Sequence, residues 1–358
     1  MSLTQEHVVR ALTQVHDPDL HQDIVALGFV KHLSIDGGRV SFTIELTTPA
    51  CPVRDQMKEQ AVQAVRAVSG VTDVVVTMTS QVRASIGQAR GGALIPTVKN
   101  IVAVASGKGG VGKSTVSANL ALALAKHGAR VGLMDADVYG PSIPAMLGIT
   151  SGPDVTPERR IIPVRQDGLA VISMAFFMKP DEAVIWRGPM LHKTVEQFLG
   201  TVEWGELDYL LVDLPPGTGD VQLSLCQIIP LTGAVIVSTP QDVALNVAQK
   251  AITMFKKLNA PLLGIIENMS GYVCPHCGKR DDVFGSGGAR KTAERLGIPF
   301  LGEVPLATVI RETSDAGTPI VLSQPDSPSA KAFVAAAEQL AAQVSIRAMQ
   351  GEQVKVTF

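Results

Sequence analysis

Hydrophobic and polar positions divide the chain into two differently patterned stretches. Over the first eighty residues the periods are mixed. Val8, Ala11, Leu12 and Val15 recur at helical spacing and predict a short amphipathic helix over residues 8–15. Val40, Phe42, Ile44 and Leu46 alternate with Ser41, Thr43 and Glu45, the period of a half-buried strand, and Gly37-Gly38 marks a turn before it. Met57, Ala61, Ala64, Val65 and Val68 predict a helix over 52–68, and the β-branched run 71–78 predicts a strand. Together they describe a small α+β domain at 1–80. Residues 81–98, with Gly87, Gly91, Gly92 and Pro96 among small and basic residues, read as a linker.

From Asn100 the pattern becomes strand, turn, helix, repeated. Short continuous apolar runs at 101–105, 130–134, 169–174, 209–212, 234–237 and 262–266 are each bounded by Gly, Pro or Asp, with helical stretches between them. Strands apolar at every position, alternating with helices, predict an α/β domain at 99–349: a mainly parallel sheet covered by helices on both faces. Ligands of such sheets bind at the carboxyl ends of the strands. Residues 327–349 predict a closing helix with Ser327 as N-cap and Pro328 in the first turn. Its stripe of Ala330, Phe333, Val334, Ala337, Leu340, Ala341 and Val344 is read as core, and 350–358 as a tail.

Composition narrows the class. Of 358 residues, 46% are hydrophobic and 18% charged, ample for a large core, and the net charge of −2 leaves no electrostatic footprint for nucleic acid. No apolar run approaches the ~20 residues that span a bilayer. Glu6, His7, Arg10 and Asp17 interrupt any secretory signal core, so a cytoplasmic, reduced protein is expected, with no membrane partner. Four cysteines, Cys51, Cys226, Cys274 and Cys277, are then candidates for metal or redox chemistry rather than bridges.

Gly107-Lys108-Gly109-Gly110-Val111-Gly112-Lys113-Ser114 matches G-x-x-x-x-G-K-[ST] between a predicted strand and a predicted helix. The glycines let backbone N–H groups turn inward around a phosphate, and the helix adds its positive end. Lys113 is expected on the β- and γ-phosphates of ATP, Ser114 on Mg²⁺, and Thr115 completes the set. Lys108 is poorly placed to serve the same phosphates as Lys113. Asp137, in Met134-Asp135-Ala136-Asp137, and Asp213, in Val212-Asp213-Leu214-Pro215-Pro216-Gly217, end two strands, where a carboxylate can hold a metal-bound water, cap a helix or close a turn.

Cys274-Pro275-His276-Cys277 supplies two thiolates where a closed tetrahedral site needs four. Three readings stay open: half of a metal site completed by a second subunit, holding a [4Fe–4S] cluster or zinc; a redox dithiol; or a zinc knuckle completed by other residues. Cys51, before a predicted helix, is either a reactive thiol or a small buried residue, and Cys226 is read as core.

These segments resemble a known family. GKGGVGKST, DADVYGPSIP from Asp135, WRGPM from Trp186, DLPPGTGD from Asp213, STPQDVAL from Ser238 and ENMSGYVCPHCG from Glu267 occur in that order. Over 98–345 they resemble the Mrp/ApbC iron–sulfur cluster carriers, deviant Walker A ATPases related to MinD, ParA and the nitrogenase iron protein. Residues 1–80 resemble the small iron–sulfur assembly domain often fused to them, with Cys51 at its characteristic cysteine. The N-terminal cysteine cluster of eukaryotic relatives is absent, so no stable cluster is implied there.

The resemblance implies a homodimer that binds and slowly hydrolyses ATP. It implies a [4Fe–4S] cluster held between the two Cys274/Cys277 loops and passed to apo-proteins, in exchange with scaffold proteins. It places Lys108 on the partner's nucleotide, Asp137 at the switch I position for the hydrolytic water, Asp213 at the Walker B position near Mg²⁺, and Asn268 on the base. A MinD- or ParA-like spatial organiser and a zinc-stabilised NTPase are the competing readings.

Overall fold

The computed structural model describes residues 3–85, 95–178, 188–274 and 276–353. The glycines 87, 91 and 92 of the expected linker, Trp186 and Pro275 lie outside these residues, as does 354–358 of the expected tail. The chain folds as two compact units, Met1–Arg83 and Ala84–Phe358.

In the first unit, α1 (Gln5–Leu12) starts earlier than its apolar stripe suggests, because the Thr4 hydroxyl accepts a hydrogen bond from His7 N and caps it. Val8 and Leu12 are buried, and Val15 packs into the core beyond the helix end. A three-stranded sheet follows, from β1 (Val30–Asp36), β2 (Arg39–Leu46) and β3 (Asp73–Ser80), in the order β1-β2-β3. β2 alternates buried and less buried positions over its whole length, as its sequence period predicts. β1 has no such period: its pairing with β2 slips between Lys31 and Ser34, where His32 has φ +52°. β3 runs parallel to β2, so the chain must cross over between them, and α2 (Arg54–Arg66) makes that crossing with Met57, Ala61 and Val65 buried.

The second unit is built on a nine-stranded sheet. Its strands are β4 (Ile101–Ser106), β5 (Val131–Asp135), β6 (Val164–Gln166), β7 (Leu169–Ser173), β8 (Tyr209–Asp213), β9 (Gly233–Ser238), β10 (Leu262–Val273), β11 (Arg280–Asp281) and β12 (Phe300–Leu306). Their order is β6-β7-β5-β8-β4-β9-β10-β11, with β12 also on β10. The pairs from β7 through β10 to β12 are parallel, and β6 and β11 are antiparallel additions. Every residue of β4, β5, β7, β8 and β9 is buried, which is why these strands read as unbroken apolar runs. β12 escapes that reading because Gly302, Glu303 and Pro305 interrupt it.

Helices α3 (Lys113–Lys126), α4 (Gly188–Gly200), α5 (Asp220–Ile228), α6 (Asp242–Lys257), α7 (Gly288–Leu296) and α8 (Pro328–Gln353) supply the layers. α3 is buried nearly all round. α8 packs against α3 and β12, its Ser327 hydroxyl accepting from Ala330 N at 3.2 Å as an N-cap, and it continues to Gln353, four residues beyond its predicted end. Ser85, Ile95 and Val98, within the stretch read as linker, are buried; the Ser85 and Thr232 hydroxyls lie 2.7 Å apart.

Candidate nucleotide site and thiol hairpin

Strand register assembles the site. Asp213, the last residue of β8, pairs in register with Asp135, the last of β5, and Asp135 with Ser173, the last of β7. Three polar side chains therefore meet at the carboxyl edge, beside the loop that leaves β4. The loop folds into a cradle because its glycines are required. Gly110 and Gly112 have φ +78° and +77°, left-handed values that a Cβ opposes. Gly107 has no room for a Cβ, which would lie 2.5 Å from the backbone carbon of Val247 in α6. The cradle opens onto a cavity of about 200 Å³ that Asp137, Ser142 and Pro216 also line.

Lys113, the first residue of α3, is only 5% exposed. Its Nζ donates to Asp213 Oδ2 at 2.6 Å and lies 3.8 Å from Asp137 Oδ2. Asp213 is fully buried and also accepts from the Ser114 hydroxyl, at 2.6 Å on Oδ2, and from the Ser117 hydroxyl, at 2.6 Å on Oδ1. One carboxylate thus fixes the loop lysine and two α3 hydroxyls. Ser117 was not among the expected site residues. Its signal was its spacing, three and four residues beyond Ser114 and Lys113 on one helix face.

Asp137 holds its own turn, with Oδ1 accepting from Tyr139 N at 3.1 Å and Gly140 N at 3.3 Å, while Oδ2 faces Lys113. Asp135, which sequence reasoning passed over for Asp137, is fully buried and accepts from Asp137 N, Ile143 N and the Ser173 hydroxyl at 3.2, 3.2 and 2.9 Å. Burial and then the neighbouring Asp213 carboxylate push Asp135 up to about 7, against the pull of those three donors.

Asn268 lies inside β10. It is nearly buried and donates Nδ2 to Val111 O at 2.8 Å, bracing the phosphate loop from outside. Gly112 leaves space for this amide, since a Cβ there would overlap Asn268 Nδ2. Lys108 is exposed at the rim of the same cavity.

The cradle fits a nucleotide phosphate: a glycine loop with left-handed Gly110 and Gly112, a helix start and one buried lysine. The Ser114 hydroxyl beside a buried carboxylate also suits a hard divalent cation, which prefers oxygen ligands.

The thiols sit elsewhere. Cys274 and residues 276–279 lie at the tip of a hairpin between β10 and β11, where Tyr272 pairs with Asp281 and Val273 with Arg280. Cys274 N donates to Lys279 O, and Gly278 N to Cys274 O. Cys277 is exposed and Cys274 partly so, and the neighbouring Val273, Val283 and Phe284 are exposed apolar residues. Backbone N–H groups of His276 and Cys277, with the Cys277 thiol, hold the Cys274 thiol below the ordinary range. Among the described residues no group of three or more His, Cys, Asp or Glu could hold a metal ion. Cys226 is buried, which pushes its thiol up to about 12, as a core residue should be. Cys51 precedes α2 and is half-buried.

The fold and the cradle define a P-loop NTPase of the MinD and ParA class. A solved nucleotide-binding protein from Archaeoglobus fulgidus, in complex with ADP, is 41% identical, with a TM-score of 0.59 over 67% of this chain and 93% of that one. The cell division ATPase MinD of Pyrococcus furiosus follows at 28% identity and TM-score 0.51, over 67% and 97%. Within that class, a family model described as the NUBPL iron-transfer P-loop NTPase matches residues 97–341, and one described as an iron–sulfur cluster assembly protein matches 5–78. The iron–sulfur cluster carrier protein of Deinococcus radiodurans is 49% identical over 96% of both chains, and that of Escherichia coli is 42% identical over 94% and 91%. The chain belongs to the iron-transfer P-loop NTPase family. No helix among the described residues is long and apolar enough to cross a membrane.

Proposed function

We propose that the chain is an iron–sulfur cluster carrier that binds and hydrolyses ATP, holds a [4Fe–4S] cluster between two copies of itself, and passes it to apo-proteins. The observation that carries this reading is the contrast in completeness between the two sites. The phosphate cradle has its lysine, hydroxyls and carboxylates from one chain, whereas the hairpin offers two thiols. Two hairpins across a two-fold axis supply the four thiolates a cluster needs.

In this reading Lys113 and the loop N–H groups bind the β- and γ-phosphates, and Ser114 with Asp213 would hold a Mg²⁺ ion, which when bound would neutralise charge on the phosphate oxygens. Asp137 orients the attacking water, and Lys108, exposed at the rim, serves the partner's nucleotide. Hydrolysis is slow and tied to loading or release of the cluster. The carrier names of the relatives support the cargo, and the ADP of the Archaeoglobus protein supports the nucleotide.

Anaerobic reconstitution with iron and sulfide tests the cargo. About four irons and four sulfides per two chains, with a broad visible absorbance lost in Cys274→Ala, is the expected result. A site that takes up zinc alone and forms no chromophore would replace the carrier reading with a structural one.

A further inference from the structure

The two sites share one strand. Asn268 braces the phosphate loop, and six residues later the same strand delivers Cys274. Between them β10 is irregular. Its pairing with β12 steps from Asn268–Val304 to Tyr272–Leu306, so four residues of β10 advance against two of β12. Met269 has φ +59°, unusual for a residue with a side chain, and Gly271 has φ +64°. The Met269 methyl lies 3.6 Å from the place a Cβ would occupy on Gly112, so two successive β10 residues rest against the loop.

The other side of the bulge is anchored. Glu267 is fully buried and accepts from Gly287 N at 2.7 Å and Ala289 N at 2.6 Å, at the start of α7. It also accepts from the Ser270 hydroxyl at 2.7 Å, which lies 3.1 Å from Glu303. Glu267 therefore ties the strand to a helix before the bulge, and Tyr272 and Val273 tie it to β11 after it. The segment 269–271 between these ties carries no register pair with β12. A buried amide that loses its acceptor carries the full penalty of desolvation, so Asn268 follows Val111 O when the loop shifts. With Glu267 fixed, that displacement passes into 269–271 and on to the hairpin.

We propose that Asn268 and the bulge 269–271 are the intramolecular relay that lets the phosphate loop set the geometry of the Cys274/Cys277 hairpin. Asn268 is then a positioning residue for the thiols, acting through the bulge. The relay rests on the reading that the cradle binds nucleotide, and it regulates the hairpin of the proposed carrier without needing a cluster for its demonstration.

The test uses the full chain, reduced and free of iron and zinc, with Mg·ADP as probe. Nucleotide saturation is checked by calorimetry for each variant, and alkylation of Cys277 by iodoacetamide is followed by mass spectrometry. In the unaltered protein, saturating ADP should change the alkylation rate by about fivefold or more, the lower end of typical coupling between sites. In Asn268→Ala, at its own saturating ADP, the ratio should fall to within about twofold of unity. Gly271→Ala alters the bulge away from the cradle, placing a Cβ 2.8 Å from Arg280 Nε at a left-handed position. It should keep ADP affinity within about twofold and still lose the ratio. ADP binding without any change in thiol reactivity, or an undiminished ratio in both variants, would overturn the relay alone. Absence of ADP binding would overturn the relay and the nucleotide reading together. Failure to assemble a cluster, with the alkylation ratio present, would remove the carrier reading and leave the relay standing.

Discussion

The phosphate loop and the thiol hairpin differ in how much of their chemistry one chain supplies. The loop is enclosed: Lys113 is buried, Asp213 accepts from three side chains, and Gly107 lies against the backbone of α6. The hairpin is open, with Cys277 exposed, two thiols in place and exposed Val273, Val283 and Phe284 beside it. A phosphate cradle whose lysine, hydroxyls and carboxylates come from one chain can be packed into the sheet edge. A site to be finished by other ligands must stay at the surface, where they can reach it. The same contrast sets how tolerant each region is to change.

Lys113→Ala tests the enclosed site most severely. Loss of a charged donor to phosphate should weaken ADP binding by at least about 100-fold in calorimetry. It also leaves Asp213 buried without its cation, a change that costs about 3–5 kcal/mol. If the loss in affinity came with no loss in thermal stability, the Lys113–Asp213 pair would not be the structural lock its geometry indicates.

Cys274→Ala is the counterpart at the open site. Iron bound after reconstitution should fall to near zero, while ADP affinity stays within about twofold, because no described residue of the hairpin tip lines the cradle cavity. Retained iron would move the metal site away from the hairpin.

Two glycines carry the contrast into stability. Gly107→Ala drives a Cβ into Val247 backbone and should cost about 1–3 kcal/mol, several degrees of Tm, with loss of ADP binding. Gly278→Ala in the hairpin meets nothing within 4 Å; its φ of +69° alone opposes the change, by about 1–2 kcal/mol. Scanning calorimetry in which Gly278→Ala proved the more damaging would reverse the assignment of rigid and tolerant regions.

The smallest effect lies at the opposite edge of the sheet. Asp208 accepts from Lys99 Nζ at 2.9 Å and from Arg130 N, Nε and Nη2 at 3.0, 3.2 and 3.0 Å. Burial raises its carboxyl, but these donors outweigh burial and hold it below its ordinary 3.8. The unfolded chain then takes up its proton first as pH falls. The stabilisation is present above about pH 4 and is lost as pH drops through the lower folded value. Asp208→Asn should cost about 1–2 kcal/mol at pH 7, discounted for the half-exposed Arg130, and should flatten this acid limb in urea titrations between pH 2 and 5. Unchanged ADP affinity would confirm that the far edge serves folding alone.

Much of this was legible along the chain. The unbroken apolar strands, the glycine-rich turn before α3, and the carboxylates at strand ends all depend on neighbours in sequence, so pattern and spacing were enough. The Mrp/ApbC resemblance agrees with the family that matches. The period changes over 81–98, and the chain divides into its two compact units at Arg83–Ala84. β1 and β12 were not legible, because His32 and the Gly302-Glu303-Pro305 run disturb their alternation.

By itself, then, the sequence determined the unbroken apolar strands, the phosphate loop, the family and the presence of two thiols in one short loop. The tertiary structure decided which groups act together. Asp135 and Asp213 are neighbours only because β5 and β8 are in register, and Ser173 joins them from a third strand. Asn268 meets Val111 across 157 residues, and Gly107 must be glycine because of a helix far along the chain. Such contacts follow from strand order and packing, and no local period encodes them.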